Sequence, residues 1–464
     1  MKAEKIHISH FDFVTLEKLE IERAVGAHAT ARIRGIIRDE DAEEYGYLVQ
    51  EKIWVKITAE SGDGSMRILM TGVVAGFSLE KLPHDYALEL VLKSGTYLMD
   101  GRTHFRSFQD SSLTYLDVMK MITGTYGESG ITAEGSVGTA VDFLLQYQET
   151  DWQFIRRIAS RFGLSVTPAA EREGVFFYVG NTYHDVHTLP EQVNFRTGKS
   201  IGTFMQHGAN GLGTLKEEDY LEYQVSVREI YNLWDILRTG NWQGHVYRIH
   251  SEYRQGEMIH TYLVRPAAGL KAVQVFNECQ QGCSFQAEVR AVMQDKVQVV
   301  LIDDENRGQK TGRWFPYSTG YSSPDGAGWY CMPEVGDRVR LQIPDHKEEH
   351  GYIISAVHME TGNDRKVPDH KSFKTRYGKE LLFTPESLEL TNNQGMSVKI
   401  TDGKGIQVVS DKDISIIAGG DMTISSQDAS LVIAGTESID IRQGSAGLHM
   451  DDDIIFTGGK FRIQ

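Results

Sequence analysis

A chain of 464 residues with 40% hydrophobic and 10% aromatic side chains has material for several buried cores, which excludes wholesale disorder and predicts about three domains. Its 48 Lys and Arg against 64 Asp and Glu give a formal charge of −16, which excludes the generally basic surface that nucleic acid or anionic lipid requires. Three cysteines cannot build a disulfide framework, the aliphatic run Val297 to Ile302 is far too short to span a bilayer, and Met1 to His7 has no apolar stretch, so synthesis in the cytoplasm without a signal peptide is expected.

Residues 1–102 read as β structure. Alternation is visible in Ile53-Trp54-Val55-Lys56-Ile57, in Ile68-Leu69-Met70 leading to Val73-Val74, and from Ala87 to Leu92, with Gly-rich or charged turns between, which predicts a first antiparallel barrel. Over 103–165 the period lengthens. One helix is predicted from Ser112 through Leu116, Met119 and Ile122 to near Gly124, and a clearer one over Glu149–Gly163. There Thr150 and Gln153 have capping-box spacing, Asp151 suits the positive end of the helix dipole, Gly163 suits a left-handed stop, and Ile155, Ile158, Ala159 and Phe162 form one apolar stripe.

Residues 166–280 return to short strands such as Val175–Val179 and Met258–Val264, a second barrel of similar size. Residues 281–360 alternate at Phe285, Ala287 and Val289 and again at Val339, Leu341 and Ile343, which predicts a small five-stranded barrel. The charged stretch 361–379 reads as a linker.

Residues 380–464 are a repeat. Apolar residues fall in i, i+2 pairs: Leu388/Leu390, Val398/Ile400, Ile406/Val408, Ile414/Ile416, Met422/Ile424, Leu431/Ile433, Ile439/Ile441, Leu448/Met450, Ile454/Phe456 and Phe461/Ile463. Most pairs lie 8 or 9 residues apart, with turns rich in Gly, Asp, Ser or Asn between them. Two inward residues per unit cannot wrap a core within one chain, because a single-chain solenoid turn needs roughly 20 residues or more. Three chains giving one face each supply about 24 residues per turn and close a prism without free edges. The geometry therefore predicts a homotrimer with these residues on its axis, and a stiff needle at the C-terminus.

Two further stretches carry a family resemblance. Gln146-Tyr147-Gln148-Glu149-Thr150-Asp151-Trp152-Gln153-Phe154-Ile155-Arg156-Arg157 and Gly328-Trp329-Tyr330-Cys331-Met332-Pro333-Glu334-Val335-Gly336-Asp337-Arg338-Val339, followed by the repeat, resemble in content and order the VgrG spike proteins of type VI secretion and the hub and spike of contractile phage tails. The resemblance implies a mainly β fold: tandem β-barrel hub domains with a few helices, a small oligonucleotide-binding-type barrel and a C-terminal trimeric β-prism. It also implies a pseudo-sixfold hub matched to a hexameric inner tube protein, contacts with baseplate proteins, transient contact with the target envelope, and a particle delivered outside the cell. A PAAR-type tip protein or effectors would sit at the end of the prism, against Phe461, Arg462, Ile463 and Gln464, as separate polypeptides. The barrel's name implies no nucleic-acid role, because function lives in sites and not in folds.

The remaining motifs favour structural roles, so no catalytic, cofactor-binding or metal residue is assigned. A linker of about 20 residues cannot hold the cell-wall-cleaving domain that some phage relatives insert there. Asp303-Asp304-Glu305 and Asp451-Asp452-Asp453 read as solvated turns. Thr197-Gly198-Lys199-Ser200 imitates the end of a phosphate-binding loop, but Val193 stands where its first glycine belongs, and Gly208 to Gly213 has the wrong spacing for a dinucleotide fingerprint. His184 with His187, and Cys279 with Cys283, lack the further ligands of a four-ligand site. His449 should face water, between the inward Leu448 and Met450. Trp329 is expected to pack in the small barrel, with Pro333 and Gly336 in a turn. The alternative is a trimeric tailspike-like enzyme that binds or cleaves a surface glycan, which requires two facing carboxylates in a groove.

Overall fold

Period-two alternation sends alternate side chains of a strand into a core: along Thr30–Ile37, Ala31, Ile33 and Ile37 are buried while Arg32 and Arg34 are exposed. The computed structural model describes residues 5–49, 53–61, 63–181, 185–211, 215–240, 242–310, 312–358, 366–460 and 462, in two units, 1–359 and 360–464. In the first unit a twelve-stranded sheet runs through Ile6–Ile8, Trp54–Glu60, Met66–Lys81, Tyr86–Lys93, Thr30–Ile37, Thr15–Ala24, Gln243–Arg254, Glu257–Arg265, Leu221–Val227 and Phe195–Lys199. The short strands Val186–Thr188 and Ile236–Arg238 branch from it. The halves expected as separate barrels thus join edge to edge, Thr15–Ala24 against Gln243–Arg254, with Leu19 opposite Tyr253 and Ala24 opposite Arg248. Each half keeps its own core, Leu19, Ile33, Val55 and Leu90 in one and Leu237, Val246, Ile249 and Val264 in the other.

Four α-helices occur among the described residues: α1 (Ala42–Leu48), α2 (Tyr115–Thr123), α3 (Asp151–Ser160) and α4 (Ile201–Ala209). Helix α2 begins later than Ser112, because Thr114 and Asp117 form its capping box. In α3 the box is as the spacing predicts: Gln153 N donates to Thr150 Oγ1 at 3.2 Å, and Thr150 N to Gln153 Oε1 at 3.0 Å. Gly163, at φ +69°, ends the turn that follows. Trp152, Ile155 and Ile158 of α3 are buried with Val118 and Ile122 of α2. No described helix is long and apolar enough to cross a membrane.

The small barrel orders its strands Phe315–Pro316, Lys296–Leu301, Ser284–Met293, Arg338–Gln342 and Tyr352–Ile354. A bridge between Tyr317 and Ile353 joins the two edges and closes it. Val289, Val299, Phe315 and Leu341 fill it, together with Phe143 and Leu145 from the strand region before α3. The junction is also ionic. Buried Arg157 of α3 donates to Glu149 at 2.7 Å, to Leu145 O at 2.7 Å and to Glu348 of the small barrel at 2.9 Å, and Arg161 reaches the same Glu348 oxygen at 2.8 Å.

In the second unit, Lys371–Lys374, Glu380–Phe383, Ser387–Thr391, Ser397–Thr401 and Gly405–Val409 form an antiparallel meander in chain order. The first of these strands lies inside the stretch expected as linker, of which 361–365 fall outside the described residues. A second meander comprises Ile439–Gln443, Ala446–Met450 and Ile454–Thr457.

Candidate functional site

The meander registers sort the repeat's apolar residues into rows. Phe373, Leu381, Leu390, Val398 and Val408 pair successively across the strands, and so do Phe383, Leu388, Ile400 and Ile406. Because alternate residues of a strand point to opposite faces, both rows lie on one face. Glu389, Lys399 and Gln407 occupy the other, where Lys399 Nζ and Glu389 Oε2 lie 3.3 Å apart. The apolar face is open: Ile406 is 72% exposed, and Leu390, Val398, Ile400 and Val408 are exposed beside it. A contiguous exposed apolar surface of this kind marks an interaction site.

The second meander repeats the pattern. Ile439, Met450 and Ile454 form one row and Ile441, Leu448 and Phe456 the next, with Ile441, Ile454 and Phe456 exposed. His449 and Asp440 lie opposite each other on the other face, 2.9 Å apart, and Asp451 contacts the second ring nitrogen at 3.3 Å. These two carboxylates raise the imidazole's pKa. His449 is thus engaged on the polar face, away from Leu448 and Met450.

Between the meanders no strand is formed. Residues 411–438 alternate irregular stretches and bends, and no backbone–backbone hydrogen bond joins them to another described residue. Their pairs Ile414/Ile416, Met422/Ile424 and Leu431/Ile433 are all exposed, Ile416 at 72% and Ile424 at 63%. At the chain end Arg462 is exposed, while Phe461, Ile463 and Gln464 lie outside the described residues.

Several other sequence motifs change meaning in three dimensions. Asp303-Asp304-Glu305 is a turn with Asp303 and Glu305 exposed, but Asp304 is buried and the last two acids bind a neighbouring strand. Buried Asp304 accepts from Ser107 N at 3.0 Å and from the Ser107 hydroxyl, while Glu305 accepts from Phe105 N at 3.2 Å and lies 2.9 Å from His104. These carboxylates clasp the hub strand Thr103–Phe108 to the small barrel across about 200 residues of sequence, a pairing that no local pattern encodes. Trp329 does not fill the barrel: it is 67% exposed, its backbone N donating to Tyr321 O at 2.8 Å. Gly336, at φ +97°, does occupy a turn. Thr197, Gly198 and Lys199 lie in a strand paired with Leu221–Val227, so they cannot cradle a phosphate as a loop.

His184 lies outside the described residues. His187, Asp185 and Asp235 bring ligand-type atoms within 4.8 Å of one another, the only such trio among the described residues. Asp235 is already occupied, accepting from Asp185 N at 3.0 Å and Asn232 N at 2.7 Å and meeting His187 Nε2 at 3.2 Å. Cys283 Sγ donates to Cys279 O at 3.1 Å, an ordinary turn contact.

Residues 28–200 match the phage tail baseplate hub (GPD) family. No curated protein matches the chain. Among solved structures, the E. coli c3393 protein, described as a component of the type VI secretion system with structural similarity to T4 bacteriophage tail proteins gp27 and gp5, superposes with a TM-score of 0.54 at 13% identity, over 76% of this chain and 100% of its own. A chain of the lidded Francisella PdpA–VgrG complex gives 0.58 at 8% identity, over 85% of this chain and 76% of its own. The lidless PdpA–VgrG complex gives 0.58 at 8%, over 85% and 93%. At these identities the likeness is one of fold. Residues 28–200 are thus similar to a tail-type baseplate hub, and the chain shares the fold of these tail and secretion proteins. The VgrG-type resemblance and the mainly β hub-and-spike fold are both borne out.

Proposed function

We propose that three copies of this chain form a non-enzymatic hub and spike at the tip of a contractile injection machine. The observation that carries this reading is the pair of exposed apolar rows, together with the strandless run 411–438 between the two meanders. A single chain leaves those side chains in water and those backbone groups without partners in the protein. Two further copies would cover the first and pair the second. The residues meeting on the threefold axis would be Leu388, Leu390, Val398, Ile400, Ile406, Val408, Ile414, Ile416, Met422, Ile424, Leu431, Ile433, Ile439, Ile441, Leu448 and Met450.

In this reading the hub half faces a hexameric inner tube and baseplate proteins, and sheath contraction drives the spike through a target envelope. A PAAR-type tip protein or effectors ride at the C-terminal end. The protein is made in the cytoplasm and leaves the cell only in the particle, and it acts by force, without a catalytic site, cofactor or nucleic-acid ligand. Light scattering on the purified chain is the test. A mass near three times 52.2 kDa is expected, and a stable 52.2 kDa monomer with its C-terminal repeat folded would overturn the reading. Release of reducing sugar from an envelope polysaccharide would instead favour a glycan-cleaving tailspike.

A further inference from the structure

A cavity of about 300 Å³ opens in the first unit where the turn at Val25 and Gly26, helix α3 and the segment from Arg265 to Val275 come together. Three cationic side chains line it, Arg156, Arg265 and Lys271, with His207 of α4 beside them and no Asp or Glu in the wall. In a chain of formal charge −16 such an acid-free cationic concavity runs against the average surface. The exposed side chains of Arg156 and Lys271 make no hydrogen bond or ion pair with a described residue. The nearby Asp100 carboxylate is already taken by His28 at 2.8 Å and by Thr150 at 2.5 Å.

Arg265 supplies an independent observation. Only 7% exposed, it is held by Glu222 and Ser200 through one terminal nitrogen and by Gly269 O through the other. Its buried Nε has no acceptor. A buried N–H without a partner is destabilising, so the fold keeps this guanidinium in the wall at a cost. The walls are pinned before any ligand arrives. Ala272 N donates to Gly163 O at 3.0 Å, Val275 N to Ser160 Oγ at 2.9 Å, Ser165 Oγ to Leu270 O at 3.1 Å and Gly26 N to Val166 O at 2.8 Å. Preorganisation of this kind lowers the ordering cost of binding.

We infer that this cavity is a binding site for a small multivalent oxyanion, whose phosphoryl or carboxylate groups are taken by Arg156 and Lys271, with the buried Arg265 adding positive charge in the wall. Guanidinium groups recognise both kinds of oxygen through charge-assisted hydrogen bonds, and the ammonium of Lys271 adds a point charge at the rim. The inference rests on the hub alone and is independent of the spike's oligomeric state.

Titration calorimetry on the full-length protein, at constant ionic strength, tests it with two probes, sodium pyrophosphate and citrate. Saturable binding of one anion per chain is expected, weakened at least about tenfold in the double variant Arg156→Gln/Lys271→Gln and unchanged in Arg38→Gln/Lys412→Gln, which removes the same charge elsewhere. Tighter binding of pyrophosphate assigns the site to phosphoryl ligands, and tighter binding of citrate to carboxylates. Absence of saturable binding by either probe, or equal weakening in both double variants, would overturn the inference.

Discussion

Arg157 and Glu348 stand 191 positions apart, yet in the fold they hold the hub helix to the small barrel with both side chains buried. Burial alone would push the Glu348 carboxyl up, but Arg157 and Arg161 hold it below its ordinary range, whereas burial dominates at Glu149 and raises it. Removing one partner of such a network strands a buried charge, so Glu348→Gln is expected to cost about 3–5 kcal/mol in urea unfolding of the hub. His260 gives a pH signature. Burial, and then the charge of Arg23, push its pKa down to about 3 from an ordinary 6.5. The unfolded chain therefore binds a proton that the folded chain refuses between those values. The associated stability is complete above pH 6.5 and falls as pH drops towards 3, by about 1.4 kcal/mol per unit for one proton. His260→Leu is expected to lose that part of the slope between pH 6 and 4, measured by unfolding midpoints. None of these residues was legible beforehand: a buried ion pair or imidazole looks in sequence like any other Arg, Glu or His.

Helix α3 was the most legible element because its start, stop and apolar stripe are all local. Thr150→Ala is expected to cost about 1 kcal/mol for the lost cap, somewhat more because Thr150 Oγ1 also donates to Asp100 at 2.5 Å, and thermal unfolding would read it. Helices α1 and α4 were hidden for physical reasons. The seven residues of α1 are fewer than two full turns and bury only Ala42 and Tyr45, while α4 holds Gly202 and Gly208 and buries nothing. The seam between Thr15–Ala24 and Gln243–Arg254 was equally invisible, since alternation tells a strand which face to bury and not which distant strand to join. From Ser387 onward the strands of the C-terminal meanders were readable for the opposite reason: each pairs with its neighbour in sequence, so the period of the apolar pairs is the period of the sheet, whereas Lys371–Lys374 lay in the stretch read as linker.

For the molecule as a whole, the repeat and the two motifs at 146–157 and 328–339 made the class of fold legible, while the ionic clasps at Arg157 and Glu305 and the cationic cavity became visible only in the fold. The proposed trimer concentrates its dependence on the middle of the repeat. Ile416→Asp with Ile424→Asp would bring charge to an axis where no water or counter-charge waits, and is expected to turn the trimer into monomer in sedimentation, with the hub still folded by circular dichroism. Glu389→Lys, on the polar face, is expected to leave the mass unchanged.

Strictly sequential pairing in the first meander has a consequence for evolution. Each strand there answers only to the strands before and after it, so the meander behaves as a ruler whose length is counted in strands. Deleting two adjacent units preserves strand direction and every other row, and shortens the stack by about 10 Å, two strand spacings. Duplication of the same segment lengthens it in equal steps. The reach of the proposed spike can therefore drift in increments set by the sheet, without any compensating change in the first unit.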